Sequence, residues 1–372
     1  MNDRGLDKVT IIIPTFCRPR YVLRQFEYWK NSDAAVVILD GSPEPLDVSS
    51  VCTNPKIRYV HSGAHFQERL ATVRKYIKTP YCAMLSDDEF YAFSGLHAAL
   101  DRMEAEPEVI GCVGRCLYFF VDQGRFLMKD AYREWKPFSE SASTPSLRLN
   151  EDLPPNKTHM AHYAIMRSSI WIQIIEKAYQ KRFSSAFVYE RLVNLQRAML
   201  GRTEILESLL WFRSMENRNI SNSQVGAPPF LDWALDSEFR SEVQEYRRIA
   251  LGLLIEGGIP EHEAIEFERR FFEDGVELTR LRKSRTTYRV KRRLRRLLLR
   301  YSPKRFRLFA KRNVPNRLLS FSGWQGFGLN EVCDSLSSRG TSFDRAEIER
   351  VMQLSLDVSR EESLDRESRV SR

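Results

Sequence analysis

Thr79-Pro80-Tyr81-Cys82-Ala83-Met84-Leu85-Ser86-Asp87-Asp88-Glu89-Phe90 runs an apolar stretch into three consecutive acids. Tyr81 to Leu85 has the length of a strand buried on both faces of a parallel sheet. The acids that stop it repel one another, so the triplet is costly unless solvent or a cation relieves it. Ligands of parallel sheets bind beyond the carboxyl ends of the strands. Oxygen ligands in that place suit a hard divalent ion, Mg²⁺ or Mn²⁺, shared with a phosphate. Taken alone, the triplet also reads as a solvated acidic turn, and what precedes it bears on the choice.

Upstream, Val9 to Phe16 reads as a buried first strand ending at Pro14, and Arg18 and Arg20 follow it. Val22, Phe26 and Trp29 then recur at helical spacing between Tyr21 and Lys30. Ala34 to Leu39 is a second apolar strand, closed by the turn residues Asp40-Gly41-Ser42-Pro43. Ile57 to Val60 is a third, followed by His61-Ser62-Gly63 and a helix expected over roughly His65 to Lys78. Strands alternating with helical patterns predict an α/β fold with an open, mainly parallel, doubly wound sheet. In such a sheet the loops carrying Thr15 and Arg18, Asp40, and Asp87 and Asp88 share one edge. Three polar strand ends at one edge suit a nucleotide, although neither a Walker sequence nor GxGxxG occurs. Phosphate binding then falls to a metal and to arginines.

At this point the first 110 residues or so resemble the nucleotide-sugar-binding half of GT-A-fold glycosyltransferases, particularly the inverting family 2 type. The matching pieces are Ile-Ile-Pro-Thr-Phe with Arg18, Val-Val-Ile-Leu-Asp40-Gly41-Ser42, Ser62-Gly63 before a helix bearing Arg69 and Arg74, and Tyr-Cys-Ala-Met-Leu-Ser-Asp87-Asp88. The resemblance implies that Pro14, Thr15 and Asp40 hold the base, with Gly41 and Ser42 beside them, and that Asp87 sits near the ribose. It also implies that Asp88 binds a divalent cation (Mn or Mg) on the diphosphate. The first acid of the usual Asp-x-Asp is Ser86 here, and Glu89 extends the cluster as a second candidate metal ligand. A metal and nearby cations would stabilise the charge left on a departing nucleoside diphosphate. Arg69 and Arg74 are candidates for bidentate phosphate contact, with a solvated helix position as the alternative for Arg74.

Further along, Ser94 is expected to cap a helix to Glu104, and Val109 to Val121 is apolar around Gly111 and Gly114. The polar stretch from Asp122 to Lys157, with Phe126, Tyr132, Trp135 and Phe138, is a candidate acceptor region. His159 to Arg167 reads as a returning strand, in which His162 is either a further metal ligand or a structural histidine. Inverting transfer needs one general base for the acceptor hydroxyl. The resemblance places it about 100 residues beyond the metal site, where Glu190 opens a helix and Glu204 and Glu207 are rivals. An acid in a first helical turn is also favoured by the dipole alone.

The 372 residues are 42% hydrophobic, enough for one large or two modest cores. Met1 to Lys8 is polar, Val9 to Phe16 is broken by Pro14, and no apolar run approaches the ~20 residues of a span, so neither a signal nor a membrane helix is expected. The closely spaced Cys112 and Cys116 lack a second pair for zinc and read as buried thiols. Residues 280–312 carry 16 Lys and Arg and no acid against an overall charge of +9, so the remainder is acidic by seven charges. Within that segment Val290, Leu294, Leu297, Leu298 and Tyr301 share a helical face among arginines, the pattern of a helix lying on an anionic membrane. Nucleic acid (though no recognised nucleic-acid fold accompanies it) and a solvated helix on an oligomer surface are the alternatives.

These readings divide the chain into a catalytic domain (1–225), a helical extension (226–284), a basic amphipathic membrane-surface helix (285–312), a small helical and aromatic segment (313–356) and a disordered tail (357–372). The expected protein is a metal-dependent glycosyltransferase, inverting, using a nucleoside-diphosphate sugar and a glycan or lipid-linked acceptor. Its expected place is cytoplasmic, peripheral on the inner face of a bacterial membrane, with no nucleic acid partner. The alternatives are a sugar nucleotidyltransferase, which would normally carry a glycine-rich basic loop after the first strand, and a non-catalytic protein binding a sugar nucleotide or polyanion.

Overall fold

The computed structural model describes residues 5–122, 124–131, 144–152, 163–215, 228–284 and 326–370. His162, the aromatics Tyr132, Trp135 and Phe138, and the basic segment 285–312 lie outside them.

Four parallel strands form one half of the sheet: β1 (Val9–Thr15), β2 (Ala35–Asp40), β3 (Ile57–His61) and β4 (Tyr81–Met84), in the order β3-β2-β1-β4. Beyond them come the short β5 (Phe90–Tyr91), the long β6 (Val109–Asp122), β7 (Arg125–Asp130), β8 (Ile165–Arg167) and β9 (Arg202–Ser214). β8 runs antiparallel between β4 and β6, and β6 runs parallel to β9. The strands form one nine-stranded sheet.

The apolar runs are buried on both faces because alternate side chains enter different cores. Ile11, Ile13, Val36, Ile38, Ala83 and Leu85 face one core. There they meet Val22, Phe26 and Trp29 of α1 (Pro19–Trp29) and Leu96, Leu100 and Met103 of α3 (Phe93–Ala105). Ile12, Val37, Leu39, Cys82 and Met84 face the other core. That one is covered by α2 (Phe66–Thr72), α5 (Ser168–Ala178) and α6 (Ala186–Leu200). Pro19 at the first position of α1 fits a residue with a fixed φ and no N–H to satisfy.

The helical extension folds onto the second core. Helices α7 (Phe230–Leu235), α8 (Arg240–Glu256) and α9 (Glu261–Ser284) bring Trp233, Tyr246, Ile249, Leu254 and Phe271 into it. The C-terminal part instead joins the first core. Phe327 exchanges backbone hydrogen bonds with Met128 of β7, and α10 (Leu329–Ser337) and α11 (Arg345–Val370) deliver Val332, Leu336, Ile348 and Val351.

Several expectations change. The helix expected over His65 to Lys78 is α2 followed by a 3-10 turn, Val73–Tyr76, and it stops where Ile77 becomes extended. Part of the polar stretch after Val121 is structured, as β7 and as α4 (Pro145–Asp152). The tail expected to be disordered is helical as far as Val370, as a continuation of α11. Ser94 does not cap α3, which starts at Phe93. Its N–H and hydroxyl both donate to Glu347 of α11. Cys112 and Cys116 are buried thiols on β6, and burial pushes the Cys112 thiol up to about 12.

Candidate functional site

The carboxyl ends of the parallel strands form one edge. The β1–β2 register sets Thr15 opposite Asp40, and the β2–β3 register sets Asp40 opposite His61. Leu85 N–H extends the β4 ladder by donating to Ile12, so Ser86, Asp87 and Asp88 emerge just beyond it. Backbone bonds from Gly41 N–H to Thr15 and from Ser62 N–H to Asp40 tie the loops leaving β1, β2 and β3.

On the β2 side, Asp40 is buried, and both of its carboxylate oxygens accept hydrogen bonds, one set from its own loop and one from β3. Oδ1 accepts from the backbone N–H and the hydroxyl of Ser42, at 2.8 and 2.5 Å, and Oδ2 accepts from Tyr59 Oη at 2.5 Å. Burial first, then the bond to Asp40, pushes the Tyr59 phenol up to about 12, so it stays a donor. Ser42 Oγ also accepts from Cys17 N–H, which fixes the β1 loop to the β2 loop. Cys17 has φ 54°, in the left-handed region that a non-glycine residue rarely adopts.

Arg69 comes from α2 and lies under this loop. Its Nη1 donates to the carbonyls of Thr15, at 3.1 Å, and Leu39, at 2.6 Å. Burial lowers its pKa, against the pull of Asp40. It binds the ends of β1 and β2 together. Arg74 is placed elsewhere: it makes an exposed ion pair with Glu176 of α5. It belongs to the outer surface, as its alternative reading had it.

The acid triplet is held from three directions. Thr15 Oγ1 donates to Asp87 Oδ2 at 2.6 Å. Arg18 spans two acids at once, with Nη1 at 2.5 Å from Asp87 Oδ1 and Nη2 at 2.8 Å from Asp88 Oδ2. Burial lowers the Arg18 pKa, but Asp87 and Asp88 more than offset this, so the guanidinium stays charged. Asp87 is fully buried. Burial first, then the Asp88 charge, raises its pKa even against Arg18. The backbone is fixed as well: Gln25 Nε2 donates to the carbonyls of Asp87 and Glu89, and Arg24 Nη2 to that of Asp88.

Glu89 departs from expectation. Its Oε2 accepts from Trp211 Nε1 at 2.9 Å, and its Oε1 is 3.9 Å from Arg213, both on β9. Burial and the Asp88 charge raise its pKa well above the ordinary value. A buried carboxyl turned to β9 is not set up to share an ion with Asp88. Among the described residues, no group of three or more His, Cys, Asp and Glu is placed to hold a metal ion. Asp87 Oδ1 and Asp88 Oδ2 nevertheless converge on one positive group, the Arg18 guanidinium. Hard carboxylate oxygens facing a single cation fit Mg²⁺ or Mn²⁺, with the remaining positions left to water or phosphate oxygens.

A wall rises from the second half of the sheet. Tyr163 stacks on Trp211, with ring centroids 4.2 Å apart, and its hydroxyl is 3.1 Å from Ser86 Oγ. Burial comes first among the causes that raise the Tyr163 and Tyr179 pKa values, and the Glu190 charge adds to both. Glu190 sits in the second turn of α6 (Ala186–Leu200), not at its opening as the sequence suggests. The rivals are committed elsewhere. Glu204 pairs with Arg102 and Arg202, and Glu207 with Arg115.

Arg24, Gln25, Tyr163 and Trp211 were not singled out from the sequence. Gln25 had a readable signal: it interrupts the apolar stripe Val22, Phe26, Trp29, where a polar side chain needs a partner.

No family model and no curated protein matches the chain. Solved structures do. TarS 1-349 of S. aureus in complex with UDP superposes with a TM-score of 0.50 at 10% identity, covering 96% of this chain and 92% of that one. The same fragment without ligand gives a TM-score of 0.49 at 11% identity, with the same coverage of 96% and 92%. With UDP-GlcNAc it gives 0.48 at 12% identity, again over 96% and 92%. The fold is GT-A. At this identity the likeness speaks for the fold and leaves the chemistry to the residues of the site.

Proposed function

We propose that this chain is a glycosyltransferase that moves a sugar from a nucleoside-diphosphate donor to an acceptor hydroxyl. The observation that supports this best is the single polar edge made by Thr15, Arg18, Asp40, Asp87 and Asp88 at the ends of parallel strands in a GT-A fold. That TarS 1-349, of the same fold, is seen in complex with UDP suits a nucleoside-diphosphate donor here.

In this reading the Asp40 loop, with Pro14, Gly41 and Ser42, receives the nucleoside. Asp88 and Asp87 hold a divalent ion, which when bound would neutralise the charge left on the leaving diphosphate. Arg18, which already meets both acids, is a cation of this chain placed at the same edge. Glu190 accepts the proton of the acceptor hydroxyl, and a single displacement inverts the anomeric centre. Tyr163, half-buried beside Ser86 and backed by the buried Trp211, is the aromatic side chain next to the acid loop.

The acceptor is a cell-surface glycan or its lipid-linked precursor, brought near by residues 285–312 resting on the anionic inner face of the membrane. The basis for that step is the sequence pattern of the segment. No helix among the described residues is long and apolar enough to cross a membrane.

The testing experiment is thermal unfolding with UDP, GDP, CDP, ADP and dTDP, each with and without Mn²⁺ or Mg²⁺. A nucleotide present at 100 times its dissociation constant adds ~2.7 kcal/mol of stability. A shift with one nucleotide fixes the donor class, and a shift with none overturns the donor assignment. With a donor in hand, Glu190→Gln is expected to abolish transfer while retaining nucleotide binding. Unchanged transfer would remove the base assignment.

A further inference from the structure

The bidentate clasp of Arg18 on Asp87 and Asp88 leaves one polar atom behind. Arg18 Nε is buried and has no hydrogen-bond partner. The guanidinium is therefore well placed for the acids and incompletely satisfied in itself, a situation that costs free energy in a buried setting. The acids are held more firmly. Asp87 is fixed through Thr15, and Gln25 and Arg24 clamp the carbonyls on either side. The Arg18 Cζ also stands over the Tyr21 ring, 4.3 Å from its centroid.

A rigid pair of carboxylates thus faces one long side chain with four rotatable bonds. The side chain is 15% exposed, so a path outward exists. Arg18 bridges the two carboxylates directly, and Arg24 adds a further positive charge near Asp87. The guanidinium and an ion coordinated by Asp87 Oδ1 and Asp88 Oδ2 would need the same oxygens.

We propose that Arg18 is a resident counter-cation that competes with a divalent ion for the Asp87–Asp88 pair, holding the acids together without the ion and yielding its place when one binds. This rests on the reading above only in taking a divalent ion as the competitor. The displaced guanidinium remains on the loop after β1, at the edge where a diphosphate would lie. The arginine is then a positioning group for the acids in one state and a cation for the donor in the other.

The test is Mn²⁺ titration of the full chain without nucleotide, with free Mn²⁺ read by electron paramagnetic resonance, for wild type, Arg18→Gln and Arg18→Lys. Arg18→Gln is expected to bind Mn²⁺ at least about tenfold more tightly than wild type, because the competitor is gone. Arg18→Lys, which keeps one charge and loses the fork, is expected between the two. Adding Asp88→Asn to Arg18→Gln should abolish the gain, which ties it to this pair. Equal or weaker Mn²⁺ affinity in Arg18→Gln overturns the proposal. If circular dichroism shows Arg18→Gln unfolded, Arg18→Lys decides alone: tighter than wild type supports competition, and equal or weaker overturns it. No nucleotide is present, so failure of the donor assignment does not touch this result.

Discussion

The Arg69 guanidinium occupies the space that a side chain at position 41 would need. A Cβ built on Gly41 would stand 2.3 Å from Arg69 Cζ and 2.4 and 2.7 Å from its two terminal nitrogens. The glycine is required here for room, since its backbone angle is not in the left-handed region, and the room is used to bind the ends of β1 and β2. Gly41→Ala is expected to destabilise the protein by about 1–3 kcal/mol, the usual cost of overpacking. In an Arg69→Ala background the same substitution should cost much less, because the clashing atoms are gone. Urea denaturation of the four proteins of this cycle measures the difference, and additive effects would refute the contact.

Glu347 serves α3 from the opposite end of the chain. Its Oε1 accepts from Ser94 N–H at 2.8 Å and its Oε2 from Ser94 Oγ at 2.7 Å, near the α3 N-terminus. The carboxylate is 2% exposed and satisfies a backbone donor that no preceding residue caps. Glu347→Ala is expected to cost about 1–2 kcal/mol, the range for loss of a helix N-terminal cap. Thermal unfolding checks this, and a change within error would show that α11 does not support α3.

The parts of the fold visible in the sequence are those whose burial is two-sided. β1, β2 and β4 appear as strongly apolar runs because both faces meet a core, and the residues that mark the site follow at or just beyond their ends. β9 was invisible for the opposite reason. Glu204, Glu207 and Arg213 interrupt it, and its pairing with β6 shifts register three times, so neither a run nor an alternation survives. The same limit applies to the side chains of the site. Asp40, Asp87 and Asp88 could be placed at the edge from their strands. That Arg18 would clasp two acids 69 and 70 residues away depends on tertiary packing, as does the turn of Glu89 toward Trp211. Ser94 looked like a cap because its usual partner is local, whereas the one it has is 253 residues away.

Glu204 gives a pH dependence with a definite sign. Its bond to Arg102 comes first among the causes that lower its pKa below the ordinary glutamate value, and burial opposes it. A carboxyl lowered in the folded state contributes stability that is complete above the unfolded-state pKa. That contribution is lost as pH falls through the lower folded value. Glu204→Gln should therefore be less stable than wild type at pH 7, and the difference should shrink as the medium is acidified below about pH 4. Because the group is only partly buried and the pairs are partly solvated, the loss at pH 7 is expected near about 1 kcal/mol. A difference between the two proteins that does not change with pH would show that the carboxylate charge plays no part.

Glu89 and Asp88 are neighbours in sequence with opposite expected behaviour. Glu89 faces Trp211 and Arg213 from a fully buried position, and Asp88 faces the guanidinium at the strand edge. Glu89→Gln keeps an oxygen that accepts from Trp211 Nε1, so it should retain the stacked Tyr163–Trp211 wall and bind Mn²⁺ as wild type does. Asp88→Asn removes one of the two charges that converge on the cation and should weaken Mn²⁺ binding by at least about tenfold. The near-ultraviolet circular dichroism of the aromatic wall separates the two roles. Glu89→Ala, which leaves the indole N–H without an acceptor, should alter that spectrum and lower stability by about 1–3 kcal/mol, while Asp88→Asn should leave the spectrum unchanged. Loss of Mn²⁺ binding in Glu89→Gln with an intact spectrum would restore Glu89 as a ligand and require its side chain to turn from β9 toward Asp88.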